Sequence, residues 1–165
     1  MVREYMLNPF DKHHDADRYA IWRMLVENDC EAFAIGDWSI VERDFDADQF
    51  EGMRAMNSPN PDQWKIVFAS VPAYRDSWLE AAREWHKKKF IHLTQREALY
   101  ARTRLTQIDI AGDRALAHKK FLGDLRLEDG STLSGARQTL FRLQRQRSTW
   151  KIVGFIGQLP LERGR

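Results

Sequence analysis

The sequence is poor in cysteine and in long apolar runs, and each shortage excludes a class of protein. A single cysteine, Cys30, among 165 residues cannot form a disulfide or a cysteine-based zinc site within one chain. No apolar run approaches the roughly 18 residues that a membrane-spanning helix needs. The segment Met1–Tyr5 lacks the apolar core of a signal peptide. We therefore expect a cytoplasmic protein that has no membrane partner.

The chain nevertheless contains enough apolar side chains for one folded domain with a sizeable core. Hydrophobic residues make up 43% of the chain and aromatic residues 12%, and a chain of this length usually forms a single domain. We expect an N-terminal arm over residues 1–15, one domain over residues 16–158 and a C-terminal tail over residues 159–165.

Charged residues are unevenly distributed, although the net charge is only +2. Residues 1–80 contain 8 Lys and Arg against 16 Asp and Glu, and residues 81–165 contain 18 against 8. Attraction between an acidic helical half and a basic sheet half explains this pattern, and a nucleic-acid-binding surface is the alternative. Such a surface would interleave basic residues with exposed aromatic ones. The nearest match, residues 85–90, is typical of a helix C-terminus, so we expect no nucleic-acid partner.

Two segments have the apolar periodicity of amphipathic helices. From Ala16 to Ile35, apolar residues recur every three or four positions, and Gly36 is a typical helix end. Pro72 precedes a second periodic segment over Ala73–Lys89. A shorter helix is expected over residues 39–43.

The last third of the chain, from about Glu97 to Gln158, predicts four consecutive antiparallel strands. Tight turns at residues 111–114, 128–130 and 145–148 separate runs rich in β-branched, aromatic and leucine residues. The regular spacing of the turns indicates a meander, in which each strand pairs with the next.

Side-chain alternation gives the second of these strands two faces. Leu116, His118 and Lys120 share one face, and Ala117 and Lys119 share the other. Because both faces carry apolar groups, we expect a sheet that is covered on both sides. Helices would cover one side, and a second copy of the chain would cover the other to form a homodimer through the sheet face.

Two short stretches have the composition of metal sites. Residues 13–17 contain two histidines and two aspartates, which we interpret as a linker followed by a helix N-cap. Residues 44–48 are rich in carboxylates, but Gln49 and Ala55 stand where an EF-hand loop needs glycine and glutamate. We therefore expect no metal and no cofactor.

Three further segments carry a resemblance to a known superfamily. Residues 32–38, the turn at residues 45–48 and the closing residues 150–155 resemble the NTF2-like and SnoaL-like proteins. The resemblance covers residues 16–158 and implies an α+β fold in which a curved antiparallel sheet wraps around a long N-terminal helix. It also implies a cone-shaped barrel with an apolar internal cavity and a dimer formed through the outer sheet face.

The resemblance further implies which residues line that cavity. The long helix would contribute Tyr19, Trp22 and Val26, and the later helix Trp78. Tyr74 and Tyr100 are added because a tyrosine hydroxyl can donate a hydrogen bond to a ligand carbonyl.

The positions that carry the tyrosine and the two acids of ketosteroid isomerase are occupied here by other residues. Counting from Gly36 places Asp29, Met53 and Thr139 at them. The resemblance therefore does not predict steroid isomerisation.

A histidine and a carboxylate are the candidate catalytic residues. His118 is central to a strand and would act as a general base if it faced the cavity. Asp29 lies on the helix that lines the same cavity, where burial would raise its pKa. The alternative is that His118 faces outward and that Asp29 is an ordinary solvated helix residue.

Three functions follow from these residues. The first is binding of a small apolar or aromatic ligand in the internal cavity. The second is cofactor-free lyase, isomerase or cyclase activity by general acid and base catalysis. The third is a structural or interaction subunit. A cavity without converging polar groups would favour the first function, and a cavity that holds His118 against a carboxylate would favour the second.

Overall fold

A long N-terminal helix forms the centre of the computed structural model, which describes residues 3–161. It consists of α1 (Ala16–Trp22), a π-helical segment (Arg23–Asn28) and α2 (Asp29–Ile35). Gly36 ends the helix with a φ of 70°, in the left-handed region that glycine adopts without strain. The helix predicted from Ala16 to Ile35 is confirmed, but its π-helical middle was not predicted.

Two further helices lie between the long N-terminal helix and the last strands of the chain. Helix α3 (Val71–His86) starts after Ser70, whose hydroxyl accepts a hydrogen bond from the Ala73 backbone N–H. It is the helix predicted after Pro72, shifted by two to three residues. Helix α4 (Gln95–Arg102) lies where the sheet was predicted to begin. Short 3-10 turns occur at Glu4–Met6, Trp38–Ile40, Glu42–Asp44 and Pro61–Gln63.

The prediction of a strand from about Glu97 is wrong, and local capping explains why. Thr94 Oγ1 accepts a hydrogen bond from the Glu97 backbone N–H at 3.0 Å, and Glu97 Oε2 accepts one from the Thr94 N–H at 3.1 Å. This reciprocal pair is a capping box, which starts a helix. The capping box favours a helix at these residues more strongly than their apolar pattern favours a strand.

Within residues 3–161, seven strands form one curved sheet, and two more form a small separate hairpin. The order in the large sheet is β2, β1, β9, β8, β5, with β3 and β4 both paired to β5. The strand bounds are β1 (Glu51–Arg54), β2 (Lys65–Phe68), β3 (Thr103–Arg104), β4 (Ile108–Ala111), β5 (Arg114–Phe121), β6 (Leu125–Arg126), β7 (Thr132–Leu133), β8 (Arg137–Gln146) and β9 (Thr149–Pro160).

The sheet differs from the predicted one in two respects. Strand β1 pairs in parallel with β9, so the sheet is mixed and not purely antiparallel. Its outer strands, β2 at one edge and β3 with β4 at the other, do not pair with each other, so the predicted barrel is an open, curved sheet. The turns predicted at residues 111–114 and 145–148 join β4 to β5 and β8 to β9. The turn at 128–130 joins β6 to β7.

The inner face of the sheet packs against the long helix. On β5, Ala115, Ala117 and Lys119 are buried, and Leu116 and His118 are less so, as side-chain alternation predicts. Phe141 and Leu143 of β8 continue the buried face. The core therefore lies inside the curve of the sheet, and Lys119 is inside it with the apolar residues.

One ion pair fixes the start of the long helix to the far end of the sheet. Arg145 on β8 binds the Asp17 carboxylate on α1 through two hydrogen bonds of 3.0 and 2.9 Å. The Trp150 Nε1–H of β9 donates to the same carboxylate at 3.1 Å. These hydrogen bonds, with that from Arg145 the largest cause, lower the pKa of Asp17. The Asp17 carboxylate thus joins α1 to the two consecutive strands β8 and β9, which lie far from it in the sequence.

The capping box of α4 gives a stability prediction. Replacing Thr94 with alanine removes the hydroxyl that caps the first turn, so we expect Thr94→Ala to lower the free energy of unfolding by about 1 kcal/mol. Thr106→Ala is the matched control, because Thr106 is exposed in the loop between β3 and β4. Urea denaturation of both variants measures the difference, and equal losses would contradict the assignment.

Candidate functional site

A small cavity lies inside the curve of the sheet, beside the π-helical segment. Its interior has about 10 Å³ of space, room for about one water molecule. Together with its open mouth it comprises about 270 Å³ that no atom fills. Ten residues line it: Met24, Leu25, Asp29, Val41, Asp44, Phe45, Tyr74, Lys119, Phe141 and Ile152. Most are apolar, and four carry polar groups.

Lys119 is the most buried of these polar residues, with 3% of its side chain exposed. Its ammonium donates hydrogen bonds to the Leu25 carbonyl at 2.6 Å and to Asp29 Oδ2 at 2.9 Å. The rings of Phe121 and Phe141 lie 5.4 and 5.8 Å from Nζ, within range of a cation–π interaction. A lysine is almost never this deeply buried unless it is paired, and the helix supplies both partners.

Asp29 connects the buried lysine to the mouth of the cavity. Its Oδ2 accepts from Lys119, and its Oδ1 accepts from the Trp78 Nε1–H at 3.0 Å. The side chain is 35% exposed, so one carboxylate reaches both the buried ammonium and the solvent side.

Asp44 is a second, more deeply buried carboxylate in the lining. It is 8% exposed, and its Oδ2 accepts a long hydrogen bond of 3.3 Å from the Asn28 side-chain amide. Burial is the largest influence on the group and raises its pKa above the ordinary 3.8, against the opposing effect of the Asn28 hydrogen bond. Asp44 therefore holds a proton more readily than a surface aspartate does.

Tyr74 places a hydroxyl at the cavity within a cluster of aromatic rings. Its ring centroid lies between 5.0 and 5.9 Å from those of five others, which belong to Trp38, Phe45, Phe50, Phe68 and Phe155. Burial, followed by the negative charge of Asp29, raises the pKa of Tyr74. The hydroxyl is thus a protonated donor.

The π-helical segment brings the helix residues of the site into place. Met24 and Leu25 lie within it, and Asp29 follows it directly. A π-helical turn uses one residue more per hydrogen bond than an α-helical turn and occurs often at functional sites. Here the backbone carbonyl of Leu25 accepts the buried ammonium.

The structure does not bring the two predicted catalytic residues together. His118 lies on the outer face of β5, where its Nε2 is 2.9 Å from Asp109 Oδ2. Asp29 lies on the inner side and pairs with Lys119, the next residue along β5. Because neighbouring residues of a strand point to opposite faces, His118 cannot reach Asp29 in this arrangement.

The six predicted ligand-binding residues are divided between the cavity and the rest of the core. Tyr74 lines the cavity. Trp78 does not line it, but its Nε1–H donates a hydrogen bond to Asp29, which does. Trp22 and Val26 are buried in the core at 4% and 1% exposure and do not line this cavity. Tyr19 is partly buried and also lies outside the lining.

Tyr100, the last of the six, is occupied elsewhere. It is 2% exposed, and its hydroxyl donates to Glu31 Oε1 at 2.9 Å. Arg96 also binds the Glu31 carboxylate, with Nη2 2.6 Å from Oε1. The hydroxyl of Tyr100 is therefore satisfied within the protein.

Two of the four polar residues of the site, Lys119 and Asp44, were not predicted as site residues. Lys119 shares a strand face with Ala117 and Phe121. A lysine on a face that otherwise carries apolar residues was the signal that could have identified it. Asp44 begins a run of carboxylates that was interpreted as a solvated turn, and nothing in its sequence context distinguishes it from its exposed neighbours.

Metal binding and membrane crossing find no support in the part of the chain that the structure describes. Over residues 3–161, no three histidine, cysteine, aspartate or glutamate side chains gather as metal ligands do. None of the helices in the same range combines the length and the apolar character that crossing a membrane requires.

Comparison with known proteins identifies the fold. No family model and no curated protein matches the sequence. The structure is similar to that of an NTF2-like protein of unknown function from Shewanella baltica OS155, with 16% identity, 87% of this chain and 94% of that chain covered, and a TM-score of 0.54. An NTF2-like protein with a cystatin-like fold from Novosphingobium aromaticivorans gives 14% identity, 90% and 84% coverage and a TM-score of 0.53.

A third similar structure is an NTF2-like superfamily protein from Salmonella enterica serovar Typhimurium. It has 13% identity, covers 84% of this chain and 88% of that chain, and has a TM-score of 0.50. At these identities the likeness concerns the fold alone. The chain has the cone-shaped α+β fold of the NTF2-like proteins.

Proposed function

We propose that the protein binds a small, largely apolar or aromatic ligand at the cavity inside the cone. The observation that carries this proposal is the convergence of Lys119, Asp29, Asp44 and Tyr74 on one apolar cavity. Ligand sites in proteins are mostly apolar and contain a few well-placed polar groups, and this lining has that composition.

The cost of burying these groups supports a functional role for them. Moving a charged group out of water costs several kcal/mol, and its partner offsets that cost only in part. Apolar side chains of similar volume would fill the same space without this cost. A purely structural cone would be expected to use such side chains, so the third function considered from the sequence has the least support.

The size of the cavity limits how the ligand sits. Its interior has room for about one water molecule, so only a small group of the ligand enters it. Met24, Phe45 and Tyr74 line the cavity and are each partly exposed. The body of the ligand would lie against these three side chains at the mouth.

General acid and base catalysis is the second candidate function, and the raised pKa of Asp44 favours it. A carboxyl group that keeps its proton can donate it to a reacting oxygen, and Asp29, held by Lys119 and Trp78, stands in the same cavity as a carboxylate. Two carboxyl groups in different environments can share acid and base roles. This candidate replaces the predicted pair of His118 and Asp29 with Asp44 and Asp29.

Filling the cavity tests the binding function. Val41 lines the cavity and is 2% exposed, so Val41→Met places extra atoms in a space that holds about one water. We expect the variant to weaken binding of small aromatic probes such as toluene and acetophenone at least about tenfold, measured by ligand-observed NMR. Its fold has to be verified by urea denaturation, because overpacking costs about 1–3 kcal/mol.

Val67→Met is the matched control for this experiment. Val67 is 40% exposed on the edge strand β2 and does not line the cavity, so the same substitution there should leave binding unchanged. Equal binding by both folded variants would contradict a ligand site in this cavity.

The pKa of Asp44 gives a prediction with a definite sign. Its folded pKa is raised above 3.8, so the folded state keeps the proton to a higher pH than the unfolded state does. Ionisation of Asp44 therefore costs stability as the pH rises from about 3.8 through the folded pKa, and above that value the cost is complete. Asparagine does not ionise and can still accept the Asn28 hydrogen bond.

We therefore expect Asp44→Asn to be more stable than the parent at pH 7.5, and the difference to shrink as the pH falls toward 4. Urea denaturation at a series of pH values measures it. Asp48→Asn, at an exposed neighbouring position, provides the comparison for a loss of charge without burial. If the parent protein were more stable than Asp44→Asn at pH 7.5, the raised pKa of Asp44 in the folded state would be contradicted.

The homodimer predicted from the sequence remains a proposal for the outer sheet face. Four apolar residues there, Leu140, Ile156, Met53 and Ile66, lie opposite one another on adjacent strands. Ile66 is 54% exposed. A second copy that covered this row would remove it from water.

Sedimentation velocity at micromolar concentration tests the dimer. We expect a dimer for the parent protein and a monomer for Ile156→Lys, because a lysine in the middle of the row would have to be desolvated. Val67→Lys is the control, because Val67 follows Ile66 and points to the other face. A monomeric parent protein would contradict the proposed dimer.

A further inference from the structure

We propose that the ligand is a small aromatic acid whose carboxylate is bound by Arg54 and Lys65, on the inner face of β1 and β2. This inference rests on the proposed binding function and names the class of ligand for that site. The aromatic body of the ligand would lie at the cavity, and its carboxylate would lie between the two cations.

Arg54 and Lys65 are two like charges on the same face of the sheet. They lie directly opposite each other in the antiparallel pairing of β1 with β2, so their side chains leave the sheet on the same side. On its other flank, Arg54 lies beside Gly157 of β9. A glycine has no side chain with which to neutralise the guanidinium, so the sheet leaves this pair of cations uncompensated.

The two cations also lack an acid partner from elsewhere in residues 3–161. Within that range, no carboxylate forms an ion pair with the side chain of Arg54 or Lys65, and no protein oxygen accepts a hydrogen bond from either. Like charges directly opposite each other on paired strands are destabilising. An anion held between them would offset that repulsion.

A surface of aromatic rings connects Arg54 with the cavity. The guanidinium carbon lies 5.0 Å from the centre of the Phe68 ring, and the Phe68 ring lies 5.3 Å from that of Tyr74, which lines the cavity. The Phe155 ring lies 5.0 Å from Tyr74 and 6.1 Å from Phe68. These separations are typical of aromatic pairs in contact, so the three rings form a continuous apolar surface from the cation to the cavity.

The charge of Arg54 also acts on the cavity. Burial, followed by the negative charge of Asp29, raises the pKa of Tyr74, and the positive charge of Arg54 opposes them. A ligand that contacts Tyr74 would therefore feel both charges. Asp29 would repel a ligand carboxylate and Arg54 would attract it, which favours the carboxylate at β1 and β2 and the uncharged ring at the cavity.

The chemistry of the two donors favours a carboxylate over other groups. The planar guanidinium of Arg54 matches the two oxygens of a carboxylate, and the ammonium of Lys65 adds a compact positive charge. A neutral ligand would leave the two cations uncompensated, and a cationic ligand would add a third positive charge. The apolar surface between the cations and the cavity fits an aromatic ring.

Three probes test this inference. Phenylacetate and phenylacetamide have the same shape and differ in charge, and toluene has the ring without a polar group. Dissociation constants are measured by ligand-observed NMR at pH 7.5 and low salt. We expect the parent protein to bind phenylacetate about 3- to 10-fold more tightly than phenylacetamide. The difference should shrink as salt is added, because salt screens exposed charges.

Substitutions of the two cations assign the preference to them. We expect Arg54→Gln and Lys65→Gln each to reduce the preference for phenylacetate about threefold and to bind toluene as the parent does. Lys65 is exposed, so Lys65→Gln tests the inference even if Arg54→Gln does not fold. Arg54→Lys keeps the charge and should retain part of the preference. Arg83→Gln, at an exposed position of α3, is the control and should bind all three probes as the parent does.

The outcomes separate this inference from the binding function on which it rests. Equal binding of phenylacetate and phenylacetamide by the parent protein, an unchanged preference in Lys65→Gln, or an equal loss in Arg83→Gln would overturn the inference. Binding of toluene would in each case still support a ligand site at the cavity. Failure of all three probes to bind the parent protein would contradict both the inference and the proposed binding function.

Discussion

The contact of the Lys119 ammonium with the long helix is the interaction on which the interior of this protein depends. It joins the C-terminal half of β5 to the Leu25 carbonyl and the Asp29 carboxylate, and so holds a positive charge inside an apolar cone. A buried ammonium needs acceptors, which fixes both the position of the helix and the direction of Asp29. The other oxygen of the same Asp29 carboxylate accepts the Trp78 hydrogen bond, so the contact extends from β5 through the long helix to α3.

The aromatic cluster around Tyr74 provides the apolar side of the same space. Its rings are large, rigid and packed edge to face or tilted, so they maintain the shape of the cone while Tyr74 presents its hydroxyl. Asp44 adds a carboxyl group that accepts a long hydrogen bond from Asn28. Burial raises the pKa of this group and disfavours its ionised form.

The sequence was sufficient for the elements whose signals are local. The apolar period from Ala16 to Ile35, the helix end at Gly36 and the alternation along β5 all depend on neighbouring residues, and the structure has them. The strand expected from Glu97 is a helix instead, because the capping box of Thr94 is also a local signal and outweighs the apolar pattern. The parallel pairing of β1 with β9 could not be predicted, because the two strands are distant in sequence and neither strand encodes its partner.

The site was harder to predict for a related reason. Alternation showed that His118 and Lys119 belong to different faces but not which face points inward, since both faces carry apolar residues. That choice depends on how the sheet curves around the helix, which is a property of the whole fold. Asp29 was identified because it lies on the helix, and its true partner is the residue next to the one predicted.

The π-helical segment has a consequence for how this chain can be aligned with others. A widened turn over Arg23–Asn28 takes up roughly one extra residue, so α2 is offset by that amount from a helix that is α-helical throughout. In an alignment with a relative of that kind, a one-residue gap belongs between Trp22 and Asp29. Without the gap, Asn28 or Cys30 would be matched to the position of the cavity carboxylate, and a functional role would be transferred to the wrong side chain.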